Sequence, residues 1–304
     1  MKVSIILCTY SPAMFDHFKE CLESLINQTY PDVEILCIVD GNEEYHHMIT
    51  DKLSDLVDDE KVRLTLNDEN LGLTESRNRG VKLANGEIVA FIDDDAVAEQ
   101  NWVEELIKMY TGDFVAAGGK LIPIWMEGKP RWFPEEFYWM IGATHLGFPE
   151  EITEVRNTFG SNISFRKEVF EGVGGFDPSK FGLKGKGQLQ AGETELCDRV
   201  RKRFGRGVVY NPDAIVHHKI FGKRTKIKFL IKRSFWQGYS KAVMEGSADI
   251  GEERKFLKYL LGNRTLSRLG QFFRGSGSDL VKLIFVWLFT FFVGIGYIYS
   301  KVRR

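Results

Sequence analysis

The chain lacks several signatures that would have assigned it quickly. It has four cysteines in 304 residues, Cys8, Cys21, Cys37 and Cys197, and no C-x-x-C pair. That spacing indicates neither a disulfide framework nor a zinc site, and Cys8 and Cys37 fall in apolar runs that read as buried core. No G-x-G-x-x-G follows the first apolar strand, which disfavours a dinucleotide-binding dehydrogenase, and no Walker A motif occurs. Internal repeats and low-complexity tracts are absent. The opening residues Met1–Leu7 form too short an apolar run, too early in the fold, for a signal peptide. Net charge is only −1.

That near-zero charge conceals a division. Residues 219–304 hold 18 Lys/Arg against 5 Asp/Glu, a balance of +13; the other 23 basic and 37 acidic residues leave −14 for residues 1–218. An acidic globular part joined to a basic tail implies an anionic partner for the tail, lipid or nucleic acid.

The most informative stretch is Glu87-Ile88-Val89-Ala90-Phe91-Ile92-Asp93-Asp94-Asp95. An apolar run of this kind reads as a buried parallel strand. Three carboxylates at its C-terminal end fall in the crevice where open α/β sheets bind ligands. Like charges this close need a counter-charge, and a divalent cation carrying a diphosphate would supply one. An acidic loop capping the next helix is the plainer alternative.

The preceding residues support a sheet. Lys2–Thr9, Val33–Val39 and Val62–Leu66 read as strands. Phe15–Gln28, His46–Leu56 and Thr74–Leu83 read as the helices between them. Alternating strands and helices imply a parallel sheet with helices on both faces. Asp40 then ends the second strand on the same edge as Asp93–Asp95, with Thr9 and Tyr10 ending the first. Arg77 lies on the third helix, where a guanidinium could meet phosphate. A nucleoside diphosphate would satisfy this set.

Further on, Trp102–Met109 reads as a helix and Val115–Ile122 as a strand. Residues 123–149 then carry seven aromatics and four prolines. They are either core beneath a long loop, or an acceptor groove or membrane-dipping segment. Gly182–Gly192 reads as a mobile loop, Glu193–Arg203 as a helix and Gly207–Val209 as a short strand, followed by Pro212 and His217-His218. From Lys223 the chain turns basic and aromatic. Ile227, Leu230, Ile231 and Phe235 share a helix face among lysines, a pattern suited to an interface of anionic lipid. Leu283–Ser300 is 18 residues without a charge, roughly 27 Å as a helix. Its Tyr297 and Tyr299 resemble interface anchors. RNA binding would not explain this run, so no nucleic-acid partner is expected.

Together the motifs resemble those of the inverting family 2 glycosyltransferases of the A-type (GT-A) fold. The pieces are Val3–Tyr10, Ile38-Val39-Asp40-Gly41, Asn70-Leu71-Gly72 with Ser76-Arg77-Asn78-Arg79-Gly80, Phe91–Asp95, Gly160-Ser161-Asn162 with Phe165-Arg166, Gly174-Gly175-Phe176-Asp177, Gly192–Leu196, and Pro212 with His218. The resemblance implies a Rossmann-like, mostly parallel sheet over residues 1–222, with a nucleotide-binding half (1–115) and an acceptor half (116–222). A basic amphipathic region (223–279) and a membrane helix with a basic tail (280–304) follow.

Carried over by position, Asp40 would pair with the base and Thr9 and Tyr10 would line the nucleoside pocket. Arg77 would contact phosphate, and Asp93 or Asp94 would hold the ribose. Asp95 would ligate Mn²⁺ or Mg²⁺, with His218 a further ligand or a pyrophosphate contact. Glu193 stands where the family usually has Asp, and would be the general base; Glu195 is the substitute. The expected donor is a nucleotide sugar, UDP-linked above all, and the expected acceptor a lipid-linked saccharide in glycoprotein or surface-polysaccharide assembly. The expected setting is the cell membrane, with the catalytic part facing the cytoplasm. Direct charging of polyprenyl or dolichyl phosphate, or a non-catalytic scaffold, are the alternatives.

Overall fold

The structure is a computed structural model, and it describes residues 1–179, 192–245, 251–274 and 277–303. Residues 182–191 of the expected loop lie outside them. The chain forms two compact units, Met1–Ile122 with Pro149–His218, and Pro123–Phe148 with Lys219–Arg304.

The first unit is built on the sheet. Strands β1 (Val3–Thr9), β2 (Val33–Val39), β3 (Val62–Leu66) and β4 (Ile88–Asp93) pair in parallel in the order β3-β2-β1-β4. Every residue of β1 is buried, as a central strand covered on both faces requires. Register sets Cys8 beside Asp93 and Thr9 beside Val39. The C-terminal ends of three strands therefore share one edge. Phe18, Cys21, Leu22 and Leu25 of helix Phe15–Ile26 bury one stripe against the core.

Beyond β4 the pairing becomes antiparallel. Short strands β5 (Ala96–Ala98), β7 (Thr153–Val155) and β8 (Ile163–Arg166) join the longer β6 (Ala116–Trp125) and β9 (Val208–Ile220), in the order β4-β8-β6-β9-β5 with β7 beside β9. The short strand expected at Gly207–Val209 is thus the start of a strand of 13 residues. Pro212 concealed it. Proline has no N–H to give a ladder, and the next N–H, that of Asp213, bonds the Asn211 side chain. Pairing with β7 stops at Tyr210 and pairing with β5 starts at Val216, one on each side of this interruption.

The second unit has its own aromatic core. Phe133, Phe137 and Tyr138 pack with Leu230, Val286 and Phe289. The Trp132 and Phe285 rings stand 4.5 Å apart. The aromatic stretch and the tail bury one another here, across some 150 residues of chain. Helices Ile227–Met244 and Gly277–Val302 approach closely because a Cβ on Gly238 would overlap the Val293 carbonyl, and one on Gly296 the Phe235 carbonyl. Among the described residues, Gly277–Val302 is long and apolar enough to cross a membrane.

Buried charges pin this unit. Arg268, 2% exposed, bonds Glu136 at 2.7 Å, Asp279 at 2.7 Å and Glu135 at 3.1 Å. Lys282 adds a 2.7 Å contact to Glu135. Burial alone would raise the Glu135 pKa, but bonds from Lys282, its own backbone and Lys129 outweigh that and draw it down to about 2. A depressed carboxylate contributes stability that is present above its ordinary value near 4.5 and is lost as pH falls toward 2. Urea denaturation is therefore expected to show the chain weakening between pH 4.5 and 2, by up to about 3 kcal/mol from this group. Glu135→Gln is expected to flatten that limb; an unchanged acid limb would remove Glu135 as its cause.

Candidate active site

The shared edge carries three small clusters, all within the first unit. In the first, Thr9 Oγ1 donates to Asp94 Oδ2 at 2.6 Å. Burial pushes the Asp94 carboxyl up to about 7, with Asp95 and Asp93 adding repulsion and the Thr9 bond opposing it. Tyr10, the next residue, is 50% exposed at the rim, and its carbonyl accepts from Asn42 Nδ2 at 3.0 Å.

The second cluster centres on Arg77, which is 5% exposed. Its Nη2 donates to Asp93 Oδ1 at 2.7 Å and to the Gly160 carbonyl at 3.1 Å, and its Nη1 to Glu193 Oε1 at 3.1 Å. Phe91 and Phe176 hold the guanidinium by their rings, 5.9 and 5.7 Å from its carbon. The flanking carboxylates raise the Arg77 pKa further although burial lowers it, so the group stays cationic. One guanidinium thus bridges the acidic strand end to the first turn of helix Gly192–Phe204.

The third cluster is Asp95 with His218. Strand β5 pairs with β9 so that Ala96 faces His218. This brings His218 Nε2 to 3.1 Å from Asp95 Oδ1, with both side chains buried. The neighbouring His217 goes instead to Glu99, at 2.7 Å. One imidazole and one carboxylate suit a divalent cation that takes its other ligands from diphosphate and water. Among the described residues no group of three or more His, Cys, Asp or Glu could hold a metal alone.

Asp40 adjoins the first cluster, its N–H donating to the Thr9 carbonyl at 2.9 Å, but its side chain turns to other partners. Its Oδ1 accepts from Asn67 Nδ2 and Leu71 N, and its Oδ2 from Gly72 N, each at 2.8 Å. In this arrangement the carboxylate anchors the Asn70-Leu71-Gly72 loop. Asn67 is an unanticipated hub: it also donates to Ser76 Oγ at 2.8 Å and accepts from Arg79 at 2.7 Å. No sequence spacing pointed to it. Glu195, the substitute base, gives both oxygens to Arg199 at 2.8 Å, and Arg199 also binds the carbonyls of Val173 and Gly175.

Gly160 was visible only as part of a motif, and the structure supplies its reason. A Cβ there would overlap Glu193 Oε1 and come within 2.8 Å of Arg77 Nη1. Both are ends of flexible side chains, so Gly160→Ala is expected to leave the fold intact while separating the pair. Misplacement on this scale lowers turnover roughly 100-fold. Assay beside a melting curve checks this; unchanged turnover would show that the pair's alignment is irrelevant.

A parallel nucleotide-type half with an antiparallel extension, and an acid cluster at their common edge, make up the A-type (GT-A) fold. Residues 4–174 match the family described as Glycosyl transferase family 2, and the chain belongs to that family. It is similar, at 44% identity over 305 residues, to a glucosyl-dolichyl phosphate glucuronosyltransferase of Haloferax volcanii, covering 99% of this chain and 96% of the relative. A second relative from that organism, glycosyltransferase AglE, is 28% identical over 177 residues, 57% of this chain and 55% of its own. Among solved structures, the mannosyltransferase PcManGT of Pyrobaculum calidifontis, in complex with GDP-Man and Mn²⁺, superposes with a TM-score of 0.65 at 16% identity, covering 99% of this chain and 88% of its own.

Proposed function

We propose that this glycosyltransferase moves a sugar, of the hexuronic acid class, from a UDP-sugar to a hydroxyl of a dolichyl-phosphate-linked saccharide, with inversion. The observation that carries this reading is the 44% identity over nearly the whole of both chains to a relative named for transfer to glucosyl-dolichyl phosphate.

The proposed roles follow the clusters. Asp40 and Thr9 frame the nucleoside pocket with Tyr10 at its rim, and Asp93 or Asp94 meets the ribose. Arg77 holds the acidic edge to Glu193. Glu193 takes the proton of the acceptor hydroxyl; the acceptor oxygen then attacks the anomeric carbon as the bond to the diphosphate breaks on the opposite face, and the configuration inverts without a covalent intermediate. Glu195 is a poorer candidate because Arg199 occupies it. Asp95 and His218 would hold Mn²⁺ or Mg²⁺, which supplies charge neutralisation at the leaving diphosphate. The apolar C-terminal helix and the basic tail would bring the enzyme to the membrane where a lipid-linked acceptor resides, with the first unit in the cytoplasm beside its nucleotide sugar.

The test is transfer of radiolabelled sugar from a panel of UDP- and GDP-sugars, with Mn²⁺ or with EDTA, to glucosyl-dolichyl phosphate or to bare dolichyl phosphate. Product on the glucosylated lipid alone is expected. Product on bare phosphate would make the protein a lipid-charging enzyme, and no product with any donor would revive the scaffold reading. In the same assay Asp95→Ala is expected to lose the metal-dependent rate, by roughly 100-fold or more. Unchanged turnover would move the cation elsewhere.

A further inference from the structure

Helix Gly277–Val302 is apolar on two opposite sides. Leu283, Val286, Phe289, Gly296 and Ser300 are buried. On the other side Ile284, Trp287, Phe291, Ile295 and Ile298 stand between 37% and 62% exposed. Steps of three, four, four and three residues keep these five in a single stripe, about 21 Å long.

The buried side is covered along its length by the helix's own unit. Phe285 and Phe289 meet Trp132, Phe133 and Phe137 near one end. In the middle, Gly238 meets Val293 and Gly296 meets Phe235. Near the other end, Glu245 bonds Tyr297 and Lys301. The companion helix Ile227–Met244 carries Lys228, Lys232, Arg233 and Lys241, of which Lys228 and Lys232 are exposed.

We infer that helix Gly277–Val302 lies in the plane of one leaflet of an anionic bilayer, with the stripe from Ile284 to Ile298 in the acyl region, and does not cross the membrane. A crossing helix would carry its companion with it and place those lysines at hydrocarbon depth, where cations are among the least tolerated groups. Lying flat, the helix keeps its buried face on the protein and submerges only the open stripe. The occupant is set by charge: the stripe belongs to a tail with 18 Lys/Arg against 5 Asp/Glu, which matches anionic headgroups. A second copy of the chain would cover the stripe but would bring the same positive charge.

The inference deepens the membrane reading proposed above and can fail separately from it. Single cysteines replace Ser278 and Arg303, and a membrane-impermeant maleimide is added to sealed vesicles from expressing cells. The four native cysteines are buried, which keeps background labelling low. Both positions are expected to share one accessibility, protected or open together according to vesicle orientation. Opposite accessibility would mean a crossing helix and overturn the inference, leaving membrane association intact.

In a second arm, the purified full chain is floated with vesicles of phosphatidylcholine with or without phosphatidylglycerol. Anionic vesicles are expected to carry it. Ile284→Asp with Phe291→Asp is expected to lower partitioning at least 100-fold, with circular dichroism and UDP-sugar thermal shift unchanged. Absence of wild-type flotation, with a dimer that this double variant dissociates, would make the stripe a self-interface and remove both readings.

Discussion

Glu193→Gln is expected to lower transfer about 1,000-fold while leaving UDP-sugar binding unchanged. The substitution is nearly isosteric, and the side-chain amide oxygen can still accept from Arg77 Nη1, which stands 3.1 Å from the present carboxylate oxygen. The geometry of the bridge should therefore persist. What disappears is the ability to accept a proton. Thermal shift with UDP-sugar and single-turnover transfer separate the two effects. A near-normal rate would move the base elsewhere, and Glu195 would then have to leave both of its bonds to Arg199.

Much of this site was legible in advance because its logic is one of strand ends. Alternating apolar and polar stretches located β1 through β4, and parallel pairing then fixed which residues share an edge. Thr9, Asp40, Asp93 and Asp95 were placed there by counting alone. The partnerships were less legible, because they depend on contacts distant in sequence. Arg77 and Glu193 are 116 residues apart, and no spacing between them announces the contact. The grip of Asp40 on Leu71 and Gly72 uses backbone N–H groups, which every residue but proline carries, so no side-chain pattern announces it. His217 and His218 could not be told apart in sequence. Alternation along β9 sends them to opposite sides, one to Glu99 and one to Asp95. Composition alone makes Leu283–Ser300 look membrane-seeking on every face. Val286 and Phe289 belong instead to a protein core completed by residues 123–148, a pairing that periodicity cannot reveal.

The largest loss of stability is expected from Arg77→Met. The side chain is buried, and its charge is the cationic partner of both Asp93 and Glu193. Methionine fills much of the same volume between Phe91 and Phe176 but leaves two carboxylates facing each other across the gap. Removing one partner of a buried pair typically costs 3–5 kcal/mol. The low end, about 3 kcal/mol, applies here because the Asp93 and Glu193 side chains keep 30% and 32% of their exposure, so water screens part of the repulsion. Chemical denaturation measures it directly. A double-mutant cycle then tests the cause. With Glu193→Gln already present, one carboxylate is gone, so Arg77→Met should cost less, by at least about 0.5 kcal/mol. Equal losses in both backgrounds would mean that Arg77 stabilises through Asp93 and the two rings alone. The bridge to Glu193 would then be a matter of alignment for catalysis and not of folding.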